Sequence, residues 1–349
     1  MRGSTTITAV NNNYTLSLAA STSTVNAQSN YTLNFTMLDP LSSSGYIVLT
    51  LDPFLTSTSQ QVAALNSNLS VSLSGSNIAS SPSVAISTIT NGSQTLYRLT
   101  LSNLNTSSGN IPSQALTITL RRLLNFPAVV TLTSFTASTF FSNANFLVAR
   151  AIYTGSFTLT VGSIALNTVS SSATTTYTFT TITVSFTNSN PIPVNGFVHL
   201  TLPSEIALLS VAKASLVVVG GSVDNSFTLW TNNNTLQIIS SSNIPSSSQL
   251  MLVVSDIMTQ NTTKTTSTFT VRTFDAIRRA IDVSSNSLGL IISTGNAFNS
   301  LSMTRSNLTN SQPASYTINF EQTQQYYDVT RLLIRLDQQL LLSNLGRIY

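Results

Sequence analysis

The sequence has no cysteine, one histidine and one tryptophan, and each scarcity closes off a class of chemistry. Without cysteine there is no thiol nucleophile, thiolate metal site, haem thioether or disulfide framework. A histidine-based triad would depend on His199, which stands between Val198 and Leu200 in what reads as a surface strand position. Only 7% of residues are charged, against about 25% in ordinary soluble domains. The net charge is +4, and Arg121-Arg122 and Arg278-Arg279 are the only basic doublets. Nucleic-acid binding needs a denser cationic stripe, so no nucleic-acid partner is expected. The chain has no apolar run long enough for a membrane-spanning helix. No apolar signal segment follows Met1-Arg2-Gly3-Ser4, so a signal peptide is expected to have been removed or to lie outside this chain.

Catalytic groups are equally thin. The carboxylates Asp39, Asp52, Glu205, Asp224, Asp256, Asp275, Asp282, Glu321, Asp328 and Asp337 are scattered. They form neither a recognisable acid pair for glycoside hydrolysis nor a calcium-loop cluster, and no G-x-S-x-G elbow is present. The expectation is a non-enzyme with no cofactor and no metal.

What the chain has in quantity is serine and threonine, 109 of 349 residues, beside a hydrophobic share of 42%. That share is too high for a disordered hydroxyl-rich tract. Hydroxyls and amides must therefore cover the surface of real cores, and Thr, Val, Ile, Tyr and Phe suit half-buried strands. Leu116, Ile118 and Leu120 alternate with polar residues, as do Phe157, Leu159 and Val161, the period-2 mark of a strand with one face in the core. Turn-forming clusters such as Asp39–Gly45 and Asn190–Gly196 separate the strands. Short helical turns are expected at Ser59–Leu65 and Ser204–Leu209.

The strongest signal is internal repetition. Tyr31-Thr-Leu-Asn-Phe35-Thr36, Pro40 and Gly45-Tyr-Ile-Val-Leu-Thr-Leu51 return in register as Ile182-Thr-Val-Ser-Phe186-Thr187, Pro191 and Gly196-Phe-Val-His-Leu-Thr-Leu202. A third copy begins with Tyr316-Thr-Ile-Asn-Phe320 and continues through Leu332, Ile334 and Leu336. Later in the unit Ile111-Pro-Ser113 returns as Ile244-Pro-Ser246, and Phe135–Phe140 as Phe269–Phe274. Arg150-Ala-Ile152 matches Arg279-Ala-Ile281. The expected fold is all-β: tandem Ig-like sandwiches of Greek-key antiparallel sheets plus an incomplete third domain.

Thr5–Val10 aligns with Ser156–Val161, the last strand of a unit. The expected organisation is an orphan strand at 1–10, sandwiches at 11–161 and 162–294, and a partial domain at 295–349. An unfinished sandwich exposes an apolar inner face and open edges, which invites strand addition. Either the chain is a window cut from a longer array, or its ends are complementary. In the second case Ile7 and Val10 of one copy dock on Tyr316, Ile318, Phe320, Leu332, Ile334 and Leu336 of the next. That contact is heterologous and does not close, so it builds a head-to-tail homopolymer.

The block Thr187–Ile206, with Asn190-Pro-Ile-Pro193 and Gly196, resembles the NPIP-x-x-G signature of large Ser/Thr-rich tandem Ig-like surface proteins of ciliates and other microbial eukaryotes. The resemblance covers both whole units loosely, and Leu38–Leu51 carries a weaker form. It implies a secreted or surface-displayed array and supplies no catalytic residues. The whole is also similar to subunits of extracellular glycoprotein fibrils; a stalk of a long surface adhesin is the alternative.

Nine N-x-S/T sequons occur, at Asn13, Asn30, Asn34, Asn68, Asn91, Asn105, Asn233, Asn261 and Asn307, a number that chance also produces in so hydroxyl-rich a chain. In an extracellular eukaryotic protein they are the candidate carriers of covalent glycans. Asn34 should face outward because Leu33 and Phe35 point in. Trp230 reads as a core or edge residue of the strand Phe227–Trp230.

Overall fold

The computed structural model describes residues 13–67, 69–92, 94–106, 109–141, 146–224, 227–230, 234–295, 300–309 and 312–321. The first sandwich contains β1 (Asn13–Ala20), β2 (Gln28–Met37), β3 (Tyr46–Thr50), β4 (Ser70–Ser74), β5 (Ser83–Asn91), β6 (Gln94–Ser102), β7 (Gln114–Leu124), β8 (Thr131–Leu132), β9 (Thr136–Phe141), β10 (Phe146–Tyr153) and β11 (Phe157–Thr158). The second contains β12 (Gly162–Ser171), β13 (Phe179–Thr187), β14 (Phe197–Thr201), β15 (Ala207–Val218), β16 (Val223–Asp224), β17 (Phe227–Trp230), β18 (Thr235–Ile239), β19 (Gln249–Met258), β20 (Thr270–Phe274) and β21 (Ala280–Ser284). A hairpin of β22 (Ser300–Arg305) and β23 (Tyr316–Glu321) follows.

Alternation sets the strands. Tyr31, Leu33 and Phe35 of β2 and Leu116, Ile118 and Leu120 of β7 are buried, and Asn34 faces water. They pack with Ile47, Leu49, Leu99, Leu101 and Ala137 in one core. Ile182, Val184, Phe186, Val198, Leu200 and Leu252 form its counterpart in the second unit.

The two units share one topology. Strand order is β4-β7-β2-β1-β10-β9-β3-β6-β5 in the first and β15-β19-β13-β12-β21-β20-β14-β18-β17 in the second, where β16 extends the edge beyond β15. In each unit the first strand changes sheets. Asn13–Leu16 runs parallel to Arg150–Tyr153, then Ser17–Ala20 runs antiparallel to β2. Likewise Gly162–Ile164 runs parallel to Asp282–Ser284 before β12 pairs with β13. Among the described strands these two pairs run parallel, as do the single bridges Thr24–Thr160 and Thr175–Thr294, and they join the two layers over the core.

The NPIP-x-x-G block has a physical basis. Buried Asp282 accepts the Asn190 backbone N–H at 3.0 Å and its Nδ2 at 2.6 Å. Ile192 bridges Ile244 just as Leu41 bridges Ile111. Gly196 then turns back, its N–H donating to Pro193 O at 2.9 Å. A Cβ there would lie 2.8 Å from the carbonyl oxygens of both Phe274 and Pro193, so the position admits only glycine without movement of the backbone.

Three expectations need correction. Ser59–Ser67 is helical, started by a capping box in which Thr58 N–H donates to Gln61 Oε1 and Gln61 N–H to Thr58 Oγ1. Ser204–Leu209 is not: it is a turn leading into β15. There Asn234 Nδ2 ties the turn by donating to the Pro203 and Ile206 carbonyls. The match of Arg150-Ala-Ile with Arg279-Ala-Ile is out of structural register. Arg150 lies within β10 opposite Ser138, whereas Arg279 lies in the tight turn between Phe274 and Ala280. Val161 also departs from its alternation, being 37% exposed.

Candidate functional site

The hairpin β22–β23 repeats the opening of both sandwiches to the residue. Ala20 opposes Tyr31 and Ser17 opposes Asn34; Arg305 opposes Tyr316 and Ser302 opposes Asn319 in the same places. In the first unit the inward residues are covered: Leu16 is 1% exposed, Tyr31 and Leu33 0%, Phe35 5%. In the third copy their equivalents lie open, with Leu301 70% and Phe320 40% exposed, Tyr316 and Ile318 half-buried, and neighbouring Met303 57% exposed. Among the described residues no second sheet lies over them. Ile7, Val10, Leu332, Ile334 and Leu336 fall outside the described residues.

The last strand of each whole unit has a fixed berth. Thr160 bridges Thr24 in parallel, with Val25 N–H donating to Thr160 O and Thr160 N–H to Ser23 O at 2.9 and 2.8 Å. Leu159 beside it is 1% exposed. Thr294 bridges Thr175 in the same way, and Thr176 N–H donates to Thr294 O at 2.8 Å. The third-copy counterpart of Thr24 and Thr175 is Thr309.

A built joint connects the sandwiches. The turn Asp275–Arg279 of the second unit is held by Asp275, which accepts the N–H of Ile277 and of Arg279 and pairs with Arg279 Nε at 2.6 Å. The Arg279 guanidinium then lies 4.4 Å from the Phe126 ring centre and 5.8 Å from that of Phe54, and the two rings meet edge to face at 5.4 Å. Val129 N–H donates to Ala280 O at 2.7 Å, and Ile281 belongs to the core cluster of the first unit. A cleft of about 500 Å³ between Thr58–Gln60, Phe126–Ala128 and the Asp275 turn flanks the joint. Sequence reading missed these residues, because a cation over two rings from distant segments has no local pattern.

The polar groups named from sequence serve the fold. Asp52 accepts three backbone N–H groups, from Phe54, Thr133 and Ser134. Glu205 accepts from Ser267 N and Oγ, which holds its carboxyl below the usual range despite partial burial pulling the other way. Burial raises the Asp282 pKa against the opposing pull of Asn190. His199 is half-buried on the outer face, its Nε2 3.1 Å from Gln237 Oε1. Burial lowers its pKa; the Gln237 bond opposes this, and Arg278 and Arg272 add to it. Among the described residues no group of three or more His, Cys, Asp or Glu could hold a metal ion, and no helix is long and apolar enough to cross a membrane.

Of the sequons, Asn30, Asn34 and Asn261 are exposed. Asn105 is half-buried with its Nδ2 donating to Gly109 O, and Asn307 is half-buried with Oδ1 accepting from Thr309 N at 2.9 Å. Asn13 and Asn91 lie in β1 and β5; Asn68 and Asn233 fall outside the described residues. β17, which carries Trp230, is an edge strand.

No protein-family model matches the chain, and no curated protein matches it. Among solved structures it is similar to the N-terminal domain of the Streptococcus gordonii adhesin Sgo0707, at 10% identity and a TM-score of 0.31, covering 75% of this chain and 60% of that one. It is similar to a biofilm-associated protein BSP domain at 12% identity and a TM-score of 0.26, covering 83% of this chain and 62% of that one. The collagen adhesin of S. aureus is similar at 9% identity and a TM-score of 0.23, covering 89% and 96%.

Proposed function

We propose that the chain is a non-catalytic structural subunit of an extracellular filament or surface coat, assembling head to tail by strand complementation. The observation that supports this reading is the third hairpin: it keeps the register of both sandwiches while its core-facing residues Leu301, Met303 and Phe320 stay open. In this reading the segment Thr5–Val10 of a neighbouring copy, which matches Ser156–Val161, takes the berth beside Thr309, and residues 332–336 supply the facing strand. Unpaired edges and bare apolar faces drive such association, and the heterologous contact propagates. The joint at Arg279 stiffens the subunit along its length. Exposed Asn30, Asn34 and Asn261 would carry glycans on a surface nearly without charge.

The test is electron microscopy and sedimentation of the purified full chain, beside a variant lacking residues 1–12. Filaments from the first and monomers from the second support the reading. A full chain that stays monomeric at high concentration, with residues 4–10 open to protease, contradicts it. A second reading, a stalk segment of a long surface adhesin, is favoured by the same Arg279 joint, and predicts rods of fixed length without polymerisation.

A further inference from the structure

The outer face of the sheet containing β9, β3 and β6 is distinct from every surface above. Ile47 and Leu49 point into the core, so Tyr46, Val48 and Thr50 point out. Tyr46 opposes Phe140 directly across β3 and β9, and their rings stack at 5.0 Å with a 7° interplanar angle. Beside this pair lies a shallow depression of about 290 Å³ with an apolar floor of Val48, Ile89, Phe140 and Leu147 and hydroxyls from Thr50, Thr136 and Ser138. Arg98 and Arg150 both line it and no carboxylate does. Among the described residues neither guanidinium forms an ion pair.

Two unpaired cations in one depression, in a chain with 7% charged residues, repel each other unless an anion lies between them. The second sandwich repeats the aromatic pair but carries its arginines elsewhere, since Arg98 and Arg150 align with Thr235 and Val283. Phe197 opposes Phe274 across β14 and β20, Arg272 opposes His199 two pairs along, and Arg278 lies 4.9 Å from the Phe197 ring centre. An outward aromatic pair at the same register in both copies is not required by either core.

We infer that the Arg98–Arg150 depression of the first sandwich binds an acidic polysaccharide. The arginines would hold one carboxylate or sulfate group in charge-assisted hydrogen bonds. The Phe140 face would take the apolar side of the pyranose ring, and Thr50, Thr136 and Ser138 would meet its hydroxyls. A nucleic acid would need a longer run of phosphate contacts than two arginines provide.

The experiment is titration calorimetry of the full chain with oligogalacturonate, dextran sulfate, neutral dextran and a single-stranded oligonucleotide, each at low and moderate salt. Binding of one or both acidic sugars, with neutral dextran and the oligonucleotide at least tenfold weaker, is expected; which of the two binds identifies carboxylate or sulfate as the anion. Arg98→Gln and Arg150→Gln should each weaken it about tenfold with unchanged melting, since both side chains lie at the surface. Arg121→Gln, on the other sheet, should leave it unchanged. The inference is overturned if no acidic sugar binds, if the Arg98→Gln/Arg150→Gln double variant binds like the parent, or if the oligonucleotide binds equally well.

Discussion

The N–H of Val129 donates to the carbonyl of Ala280 at 2.7 Å, tying the first strand residue after a second-unit turn to a loop of the first unit. With Ile281 in the first core and Arg279 over Phe126, the second sandwich is docked on the first rather than strung from it. The tie rests on few groups, of which Arg279 is the most replaceable.

Arg279→Ala should therefore loosen the joint. It removes the cation–π contact and the ion pair of a largely buried Asp275, at a cost of about 1–3 kcal/mol. Small-angle scattering of a residue 13–295 protein should show a broader distribution of interdomain distances. An unchanged distribution would mean that the backbone bond and Ile281 suffice.

Asp52→Ala should destabilise the first sandwich by about 3 kcal/mol, because the backbone N–H groups of Phe54, Thr133 and Ser134 all lose one buried acceptor. The aligned residue of the second unit is Pro203, so the second transition in a urea titration should keep its midpoint. A shift of both midpoints would show that the units unfold as one.

His199 gives a pH signature. Its folded pKa lies below the ordinary 6.5, so the folded state binds the proton less readily than the unfolded chain. Stability is then constant at alkaline pH and falls as pH drops from the unfolded value through the folded one. The melting temperature should decline as pH falls below the ordinary histidine value of 6.5, and His199→Gln should flatten that part of the decline. As the only histidine, its ring resonances can be followed directly by NMR.

Gly196→Ala should cost about 2 kcal/mol or more, since the added methyl meets two backbone carbonyls. Gly45→Ala should cost a comparable amount, because the added methyl would lie 2.5 Å from Cγ and Cδ1 of the buried Leu41 and 3.0 Å from the Phe140 carbonyl oxygen. Melting curves of the two variants test this, and an unchanged melting temperature in either would contradict it.

Alternation and repetition made the sandwich legible in the sequence: Leu33, Phe35, Val184 and Phe186 point inward as their spacing requires. Strand register followed from repeat register, which is why β22–β23 could be placed on Tyr316 and Phe320. Three features were not legible. The sheet switch of β1 and β12 depends on parallel partners more than a hundred residues away. The expected helical turn at Ser204 is instead a turn tied by Asn234, a side chain distant in sequence that no local pattern announces. The joint and the Tyr46–Phe140 face arise from distant segments, although aligning Phe197 with Tyr46 and Phe274 with Phe140 would have flagged recurrent aromatics at outward positions.

The central claim is that the amino-terminal strand of one copy fills the third unit of another. In the whole units the last strand pairs in parallel at Thr24–Thr160 and Thr175–Thr294, so Ala9 of one chain should lie beside Thr309 of the next. The sequence has no cysteine, and a directly opposed pair meets disulfide geometry. Under oxidation, the double variant Ala9→Cys/Thr309→Cys should give a ladder of covalent oligomers on a denaturing gel, while each single variant stops at dimers. Covalent monomers alone, or a ladder that does not depend on the pairing, would contradict the account.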